Sequence, residues 1–219
     1  MSDTRIYKLF PVPIFEKKLD NHEELNNQLE EYINNLKKED PKGQVKSNAG
    51  GWHSPFFNMR DTVVKKFISK FNIFLHNIVT DSMSWKCEAK DIVLLNMWSI
   101  INPKNTFNIR HAHPNSALSA AYYVKAKKNS GNIKFFDPKE IKTMYHPPIK
   151  TYNELSSEAI AIEPEEGKLL LFPAYLQHSV GENLSDEERI VISFNVNIAK
   201  GLSEKIKVSA TCVRVPVIT

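Results

Sequence analysis

Residues 167–197 read GKLLLFPAYLQHSVGENLSDEERIVISFNVN, and this stretch decides the fold class. It contains two apolar runs, at 168–172 and 189–197, and the residues between them include Pro, Gly, Asn and Asp. Short apolar runs bounded by such turn residues are typical of β-strands. Along 189–197 the even positions are apolar and most odd positions are polar, so one face of this strand is apolar and the other polar.

The same pattern extends back along the chain as far as residue 84. Turn residues such as those of the Asn129-Ser130-Gly131 segment separate further apolar runs. Many short strands with regular turns indicate an all-β sandwich or barrel. The other predicted strands are 84–89, 91–101, 117–125, 132–136 and 159–162.

Residues before 84 show the period of helices instead. Apolar residues recur at steps of three and four over about 22–37, and a second apolar stripe predicts a helix over about 60–80. Asp61 lies near the start of the second helix, where a negative charge suits the helix dipole. The segment 38–58, rich in Gly, Pro and Asn, predicts a loop between the two helices.

Together these elements predict a mainly β domain with two supporting N-terminal helices. We expect a single domain over 1–219, with a helical annex at about 20–80 and a β core at about 84–200. Residues 5–17 alternate like a strand, and their two prolines predict that it lies at the edge of a sheet. The alternating tail, 203–219, predicts a last edge strand.

The composition narrows the classes of protein. A hydrophobic fraction of 42% is enough to bury a core, which argues against a disordered chain. The net charge of +4 comes from 29 basic and 25 acidic residues mixed along the chain, so nucleic-acid binding has no specific support. Cys87 and Cys212 show no metal-binding or redox spacing. Neither a signal peptide nor a membrane-spanning run is evident, and we expect a soluble, cytoplasmic protein.

Three histidines are candidates for binding a metal. His111 and His113 are two residues apart, and in an extended chain such residues project to the same face, where both imidazoles can bind one ion. His178 follows the apolar run at 168–172. Imidazole is a common ligand of iron, zinc and copper. Each of these patterns on its own could also come from exposed or structural histidines. Only the three histidines together support a metal site.

Arg189 opens the last strand of the core, with Ser193 and Asn195 at the same parity. So polar a face is unusual inside a closed β-structure, and a buried guanidinium without an anion is unfavourable. The planar fork of arginine matches a carboxylate through two parallel hydrogen bonds, which makes a small dicarboxylate its natural partner. A solvated arginine on an exposed edge strand is the alternative interpretation.

The motifs occur in one order: H-x-H, an L-S-x-x-Y-Y strand, S-G-x-I-x-F-F-D-P, G-x-L-x-L-F-P-x-x-L-x-H and, after ten residues, R-x-x-x-S-F-N. This order, over about 95–197, resembles the iron(II)/2-oxoglutarate-dependent oxygenase superfamily, and most of all its short bacterial and phage members akin to prolyl 4-hydroxylases. Segments 9–15 and 50–55 are similar to the same subgroup. The resemblance implies a double-stranded β-helix, the jelly-roll fold of cupins.

The resemblance also implies cofactors and site residues. The cofactor is iron(II), with 2-oxoglutarate and dioxygen as cosubstrates. His111 matches the first metal ligand and His178 the last, while Arg189 matches the residue that pairs with the distal carboxylate of 2-oxoglutarate. The other expected contacts of the cosubstrate are Tyr123, Ser193, Asn195 and Asn96.

The chain departs from the superfamily at one ligand position. The usual motif is H-x-D or H-x-E, whereas residue 113 is a histidine. We expect His111, His113 and His178 to form the metal site. Two alternatives stay open at this point: His113 as the first ligand with Asn115 as a poor partner, or Asp137 as a carboxylate ligand from an adjacent strand.

The function that the resemblance implies is hydroxylation of a substrate, which the sequence leaves open between a peptide, such as peptidyl proline, and a small molecule. A three-histidine cupin-type dioxygenase that does not use 2-oxoglutarate is a second hypothesis. A non-catalytic β-sandwich protein with solvent-exposed histidines is a third. No nucleic-acid or membrane partner is indicated, and the oligomeric state is not specified.

Overall fold

The computed structural model describes residues 4–139, 144–145, 147–199 and 213–214, and over these residues the chain forms twelve strands and two α-helices. The helices are α1 (His22–Glu39) and α2 (Thr62–Asn77). The strands are β1 (Phe15–Lys18), β2 (Asn48–Ala49), β3 (Trp52–His53), β4 (Ile92–Asn102), β5 (Phe107–His111), β6 (Leu118–Lys125), β7 (Ile133–Phe136), β8 (Ala159–Ile162), β9 (Lys168–Pro173), β10 (His178–Val180), β11 (Arg189–Ile198) and β12 (Val213–Arg214).

The strands build two antiparallel sheets. The larger sheet has the order β1-β9-β6-β11-β4-β12, with β3 also paired to β4. The smaller sheet has the order β2-β5-β10-β7-β8. In both sheets, strands that are distant in sequence lie side by side. This is the arrangement of the double-stranded β-helix, and the predicted fold class is confirmed.

The two helices cover one face of the larger sheet and enclose the main hydrophobic core. On β11, Ile190, Ile192, Phe194 and Val196 belong to this core, whereas the odd-numbered residues from 189 to 195 line a cavity on the other face. Phe194 stacks on Phe71 of α2, with ring centroids 4.7 Å apart. β6 and β9 are buried on both faces, which explains why their sequences are almost continuously apolar.

A buried polar link holds α1 on the sheet. The side-chain amide of Asn26 donates to the Val124 carbonyl at 2.8 Å, and its oxygen accepts from the Tyr122 hydroxyl at 2.6 Å. These bonds satisfy an amide that is only 7% exposed and would otherwise be unpaired. The link positions the helix over β6, whose opposite face lines the cavity.

Both predicted helices and most predicted strands are confirmed, with ends that differ by a few residues. Asp61 is the residue that precedes α2, and its carboxylate accepts hydrogen bonds from the backbone amides of Val63 and Val64. Such a cap stabilises a helix by about 1 kcal/mol. The predicted strand 5–17 forms only at its C-terminal end, as β1, which does lie at a sheet edge.

Other strand predictions are wrong. Residues 84–89, all of which the structure describes, form no strand: this segment follows a π-helical turn at Ile78–Ser82 and leads into a 3-10 turn at Ala89–Asp91. β5 and β10 were not predicted because they are short and polar, although each carries a histidine of interest. β2 and β3 interrupt the loop predicted over 38–58.

Some predictions fall on residues outside those described. Of the tail 203–219 only 213–214 are described, and they form β12 beside β4 at the edge of the larger sheet. Cys212 lies outside the described residues. The proposed domain limits stay predictions. In the described ranges, no helix is both long and apolar enough to pass through a lipid bilayer.

Replacing Ile68 by alanine should lower the free energy of unfolding by about 2–5 kcal/mol, because it removes a side chain buried in the core beneath α2. Ile73 lies on the same helix and is 57% exposed, so Ile73→Ala is the matched control, with an expected change below about 0.5 kcal/mol. Urea unfolding followed by circular dichroism measures both. Equal losses would contradict the packing of this helix face.

Candidate functional site

A cavity of about 420 Å³ lies between the two sheets. Its walls come mainly from β4, β6 and β11 of the larger sheet, from β5 and β10 of the smaller sheet, and from the segment between the two helices. No aspartate or glutamate is found among the described residues that line it. The ionisable residues of the lining are Lys46, His53, His111, His113, Tyr123, His178 and Arg189.

The three candidate metal ligands meet in this cavity. β10 pairs with β5 so that His178 lies directly opposite His111, and His113 follows just beyond the end of β5. A potential ligand nitrogen of each ring lies within 4.8 Å of those of the other two. The ring centroids are 4.3 Å apart for His111 and His178, and 5.2 Å from His113 to each of the others.

Hydrogen bonds orient two of these rings. Nδ1 of His111 lies 2.7 Å from the Ile109 carbonyl, and Nδ1 of His178 lies 2.9 Å from the Leu176 carbonyl. A carbonyl oxygen can only accept, so in both neutral rings Nδ1 carries the proton and Nε2 keeps a lone pair for a ligand. The backbone amide of His113 donates to the Ala174 carbonyl at 2.9 Å, which anchors the third ring beside the turn that precedes β10.

Burial keeps the three imidazoles uncharged. It lowers the pKa of His178 to about 4, with a further contribution from His111. Burial, together with the two neighbouring rings, lowers the pKa of His113 to about 3. The pKa of His111 is also lowered by burial. Three neutral nitrogen donors are therefore present near pH 7, and this donor set suits iron, zinc or copper.

The two alternative ligands lie elsewhere. Asp137 lines a different cavity, and its carboxylate accepts a hydrogen bond from the backbone amide of Lys139 at 2.9 Å. Asn115 is exposed, and its backbone carbonyl accepts from Asn197. The structure groups neither with the three histidines. The third hypothesis supposed solvent-exposed histidines, whereas His178 is 4% exposed and His111 and His113 are half-buried.

Arg189 extends into the same cavity, and it is fully buried. Its Nη1 donates to the carbonyls of Ser130 and Gly131, the latter at 3.0 Å, and its Nη2 donates to Oδ1 of Asn102 at 2.8 Å. Gly131 has a φ of +91°, and a Cβ atom there would come within 2.7 Å of Nη1. Glycine at this turn therefore lets the backbone approach the guanidinium.

The guanidinium retains unused capacity for an anion. Burial lowers the pKa of Arg189 to about 10, so the side chain is still charged near pH 7, and the only other described group that affects this pKa is Tyr123. Nε is buried and has no hydrogen-bond partner among the residues that the structure describes. A ligand carboxylate would satisfy a buried cation that has an unpaired N–H and, among the described residues, no carboxylate as a partner.

Tyr123 and Ser193 line the cavity together with Arg189. Burial raises the pKa of Tyr123, so its hydroxyl stays protonated and is able to donate a hydrogen bond. Farther along β11, Asn195 donates to Oδ1 of Asn96 at 3.0 Å and accepts from the Ser119 hydroxyl at 2.7 Å. The polar residues that line the cavity from β11 are therefore spread along the strand, because the backbone positions of Arg189 and Asn195 lie roughly 20 Å apart.

Several lining residues were not predicted by the sequence analysis, and three of them bear directly on the site. Asn102, which binds Arg189, has the sequence pattern of a turn residue before a proline. Trp98 lies beside His113, with ring centroids 5.6 Å apart, but in sequence it is one more apolar residue of a buried strand. Lys46 lines the cavity from the segment predicted as a loop. None of them carries a local signal that would separate it from ordinary structural residues.

Comparison with known proteins gives the context of this site. The model of a family described as "Putative 2OG-Fe(II) oxygenase" matches residues 96–195, which contain all eight site residues predicted from the sequence. No curated protein matches the chain in sequence.

Several solved structures share the fold. A prolyl-4-hydroxylase from Pseudomonas putida is 13% identical, with a TM-score of 0.61 over 85% of this chain and 93% of that one. HygX from Streptomyces hygroscopicus, crystallised with nickel and 2-oxoglutarate, is 9% identical, with a TM-score of 0.60 over 85% of this chain and 83% of that one. A prolyl hydroxylase from Trichoplax adhaerens is 12% identical, with a TM-score of 0.61 over 85% and 84% of the two chains. At such identities the likeness establishes the fold.

Proposed function

We propose, from the premise that residues 96–195 of this chain match the model of a family described as "Putative 2OG-Fe(II) oxygenase", that the protein uses iron(II) and 2-oxoglutarate to hydroxylate its substrate. One observation carries the proposal. A cluster of three uncharged imidazoles and a buried arginine with no counter-anion among the described residues line the same cavity. The first fits a divalent metal, and the second fits the far carboxylate of a dicarboxylate.

His111, His113 and His178 would hold the iron. The carbonyls of Ile109 and Leu176 fix the tautomer of two of these rings, so that Nε2 is the coordinating atom in each. When bound, iron(II) with 2-oxoglutarate and dioxygen supplies the conversion of a substrate C–H bond to C–OH, coupled to the release of succinate and carbon dioxide.

Arg189 and Tyr123 would bind the far carboxylate of 2-oxoglutarate. Of the five N–H groups of the guanidinium, Nε–H and one hydrogen of Nη2 are left after the bonds to Ser130, Gly131 and Asn102. A guanidinium binds a carboxylate most strongly through two parallel bonds from two N–H groups on one edge. The protonated hydroxyl of Tyr123 adds a donor. The apolar side chains of Ile133, Phe172 and Val191 line the same cavity and exclude water from this contact.

Asn195 and Asn96 would then act at the other end of the cavity. The backbone position of Asn195 is roughly 20 Å from that of Arg189, which is farther than a five-carbon diacid reaches. We therefore assign this amide pair to the part of the cavity nearer the metal and the substrate, and Ser193 to the middle of the cosubstrate pocket. Asn195→Ala should accordingly raise the Kd for 2-oxoglutarate far less than a change at Arg189.

The test is turnover of 2-oxoglutarate without added substrate. Purified protein supplied with iron(II), 2-oxoglutarate and dioxygen should form succinate slowly. The product is measured by mass spectrometry against a reaction that lacks dioxygen. If the protein binds iron but does not consume 2-oxoglutarate, the result would instead favour a three-histidine dioxygenase that binds its substrate directly. This second candidate function is supported by the histidine at position 113, which completes a cluster of three histidines.

Removal of the metal should abolish this turnover. We expect EDTA treatment followed by desalting to lower succinate formation to background, because the three histidines would then hold no ion. Iron(II) added back should restore the rate, whereas zinc, which has no accessible redox chemistry, should fill the site without restoring it. Undiminished succinate formation in the EDTA-treated, metal-free sample would contradict the assignment.

A further inference from the structure

We propose that the substrate carries a negative charge, which Lys46 binds at the rim of the cavity, beside an aromatic wall that leads to the metal ligands. The inference rests on the proposed function and names the class of its substrate.

The cavity has room for a substrate beside the cosubstrate. Its volume of about 420 Å³ lies within the range of pockets for drug-sized ligands, roughly 300–1,000 Å³. The Arg189 end of the cavity would take the far carboxylate of 2-oxoglutarate. The part formed by Lys46, His53, Phe56, Trp98 and Ile109 is left for the substrate.

The loaded cavity would be positively charged. Three neutral imidazoles leave the two charges of a divalent metal uncompensated, and the dianion of 2-oxoglutarate balances them. The cations of Arg189 and Lys46 then remain, and no acidic residue lines the described part of the cavity to offset them. A carboxylate at position 113 would have reduced this charge by one. An anionic substrate is therefore favoured and a cationic one disfavoured.

Lys46 is placed to receive such a group. It is exposed and lines the cavity, and its ammonium group makes no hydrogen bond or ion pair with any residue that the structure describes. Its backbone is held firmly: its amide donates to Oδ1 of Asn48 at 2.8 Å, and the carbonyl of the next residue, Ser47, accepts from Ile109 at 2.9 Å. The anchored segment presents the lysine next to β5, the strand that carries His111.

An aromatic wall connects this rim to the metal ligands. Phe56 is 48% exposed, and its ring centroid lies 6.2 Å from that of Trp98, which is itself 6% exposed. The ring centroid of Trp98 lies 5.6 Å from that of His113, and Trp98 stacks on His53 at 5.8 Å. A flat apolar body would pack along these rings with one end at the metal. The substrate class that follows is an aromatic or apolar acid.

The experiment uses three probes of one shape and three charges: 3-phenylpropionate, 3-phenylpropanamide and 3-phenylpropylamine. The full chain is loaded with zinc and N-oxalylglycine, an inert analogue of 2-oxoglutarate, and each probe is titrated while the indole N–H signals are followed by NMR. The chain has three tryptophans, and Trp98→Phe identifies the signal of Trp98. The signals of Trp52 and Trp85, which do not line the cavity, serve as internal controls.

The acid should shift the Trp98 signal and bind roughly fivefold more tightly than the amide, the upper range for a partly exposed charge pair. The amine should bind more weakly than the amide. Lys46→Met should weaken the preference for the acid, because the charge of Arg189 remains, and Lys46→Glu should abolish it. Because Lys46 is exposed, neither variant should affect folding.

Equal binding of the three probes, no probe reaching Trp98, or a preference for the acid that survives Lys46→Glu would overturn the inference. Calorimetry of zinc and N-oxalylglycine alone separates this failure from that of the proposed function. If both bind and the probes show no dependence on charge, only the substrate class is wrong. If neither binds, the proposed function fails and the inference fails with it.

Discussion

Replacing His178 by alanine should strip the protein of iron while leaving its fold in place. His178 supplies one of three nitrogens that lie within 4.8 Å of one another, and the two that remain come from one short segment around the end of β5. Loss of a group that merely orients a ligand weakens metal binding by about 10–100-fold, so loss of the ligand itself should cost more than about 100-fold. Metal content after anaerobic equilibration with iron(II) and dialysis measures the effect.

The control for this variant is His76→Ala. His76 lies in the last turn of α2, outside the cavity, so its removal should leave the iron content unchanged. His178 is also packed against Phe172, with ring centroids 4.9 Å apart, and circular dichroism with a thermal melt will show whether the alanine variant is folded. A folded His178→Ala protein with wild-type iron content would remove His178 from the site.

Replacing Arg189 by methionine should raise the Kd for 2-oxoglutarate by about 100-fold, which corresponds to about 2.7 kcal/mol. The variant loses the paired, charge-assisted hydrogen bonds to the far carboxylate. Iron binding should not change, because Arg189 is not one of the three clustered nitrogen donors. Calorimetric titration of the metal-loaded protein with N-oxalylglycine measures the loss without turnover.

Pyruvate is the matched control for Arg189, since it has the 2-oxo acid group but no far carboxylate. Wild type and Arg189→Met should bind pyruvate with the same weak affinity. For the dicarboxylate N-oxalylglycine, the Kd of Arg189→Lys should lie between those of wild type and Arg189→Met. The arginine also satisfies the carbonyls of Ser130 and Gly131, so the melting temperature must be compared as well. Unchanged affinity for the dicarboxylate, or an equal loss for pyruvate, would contradict the assigned role.

Local sequence patterns predicted the elements that carry the site. The alternation along 189–197 correctly indicated that Arg189, Ser193 and Asn195 share one face of a strand and that Phe194 lies on the other, since side chains alternate strictly along an extended chain. The helices followed from apolar periodicity in the same way. These features depend only on residues that are close together in sequence. Alternation in strands and steps of three and four in helices therefore indicate them directly.

Local patterns failed where an element depends on its partner. β10 has three residues, and it is a strand only because β5 and β7 pair with it on either side. Residues 84–89 alternate like a strand but have no strand to pair with in the described sheets. A strand is stabilised by hydrogen bonds to another segment, so its existence cannot be read from its own residues alone.

By itself, the sequence determined the fold class, the face on which each polar residue of β11 lies, and a set of histidines with the right chemistry for a metal. Only the tertiary structure decided that His178 lies opposite His111, and that Asp137 lies in another cavity. It alone showed that the guanidinium of Arg189 is held by Asn102, Ser130 and Gly131. The reason is that side-chain direction is set by local backbone geometry, whereas the meeting of distant residues depends on strand pairing across the whole chain.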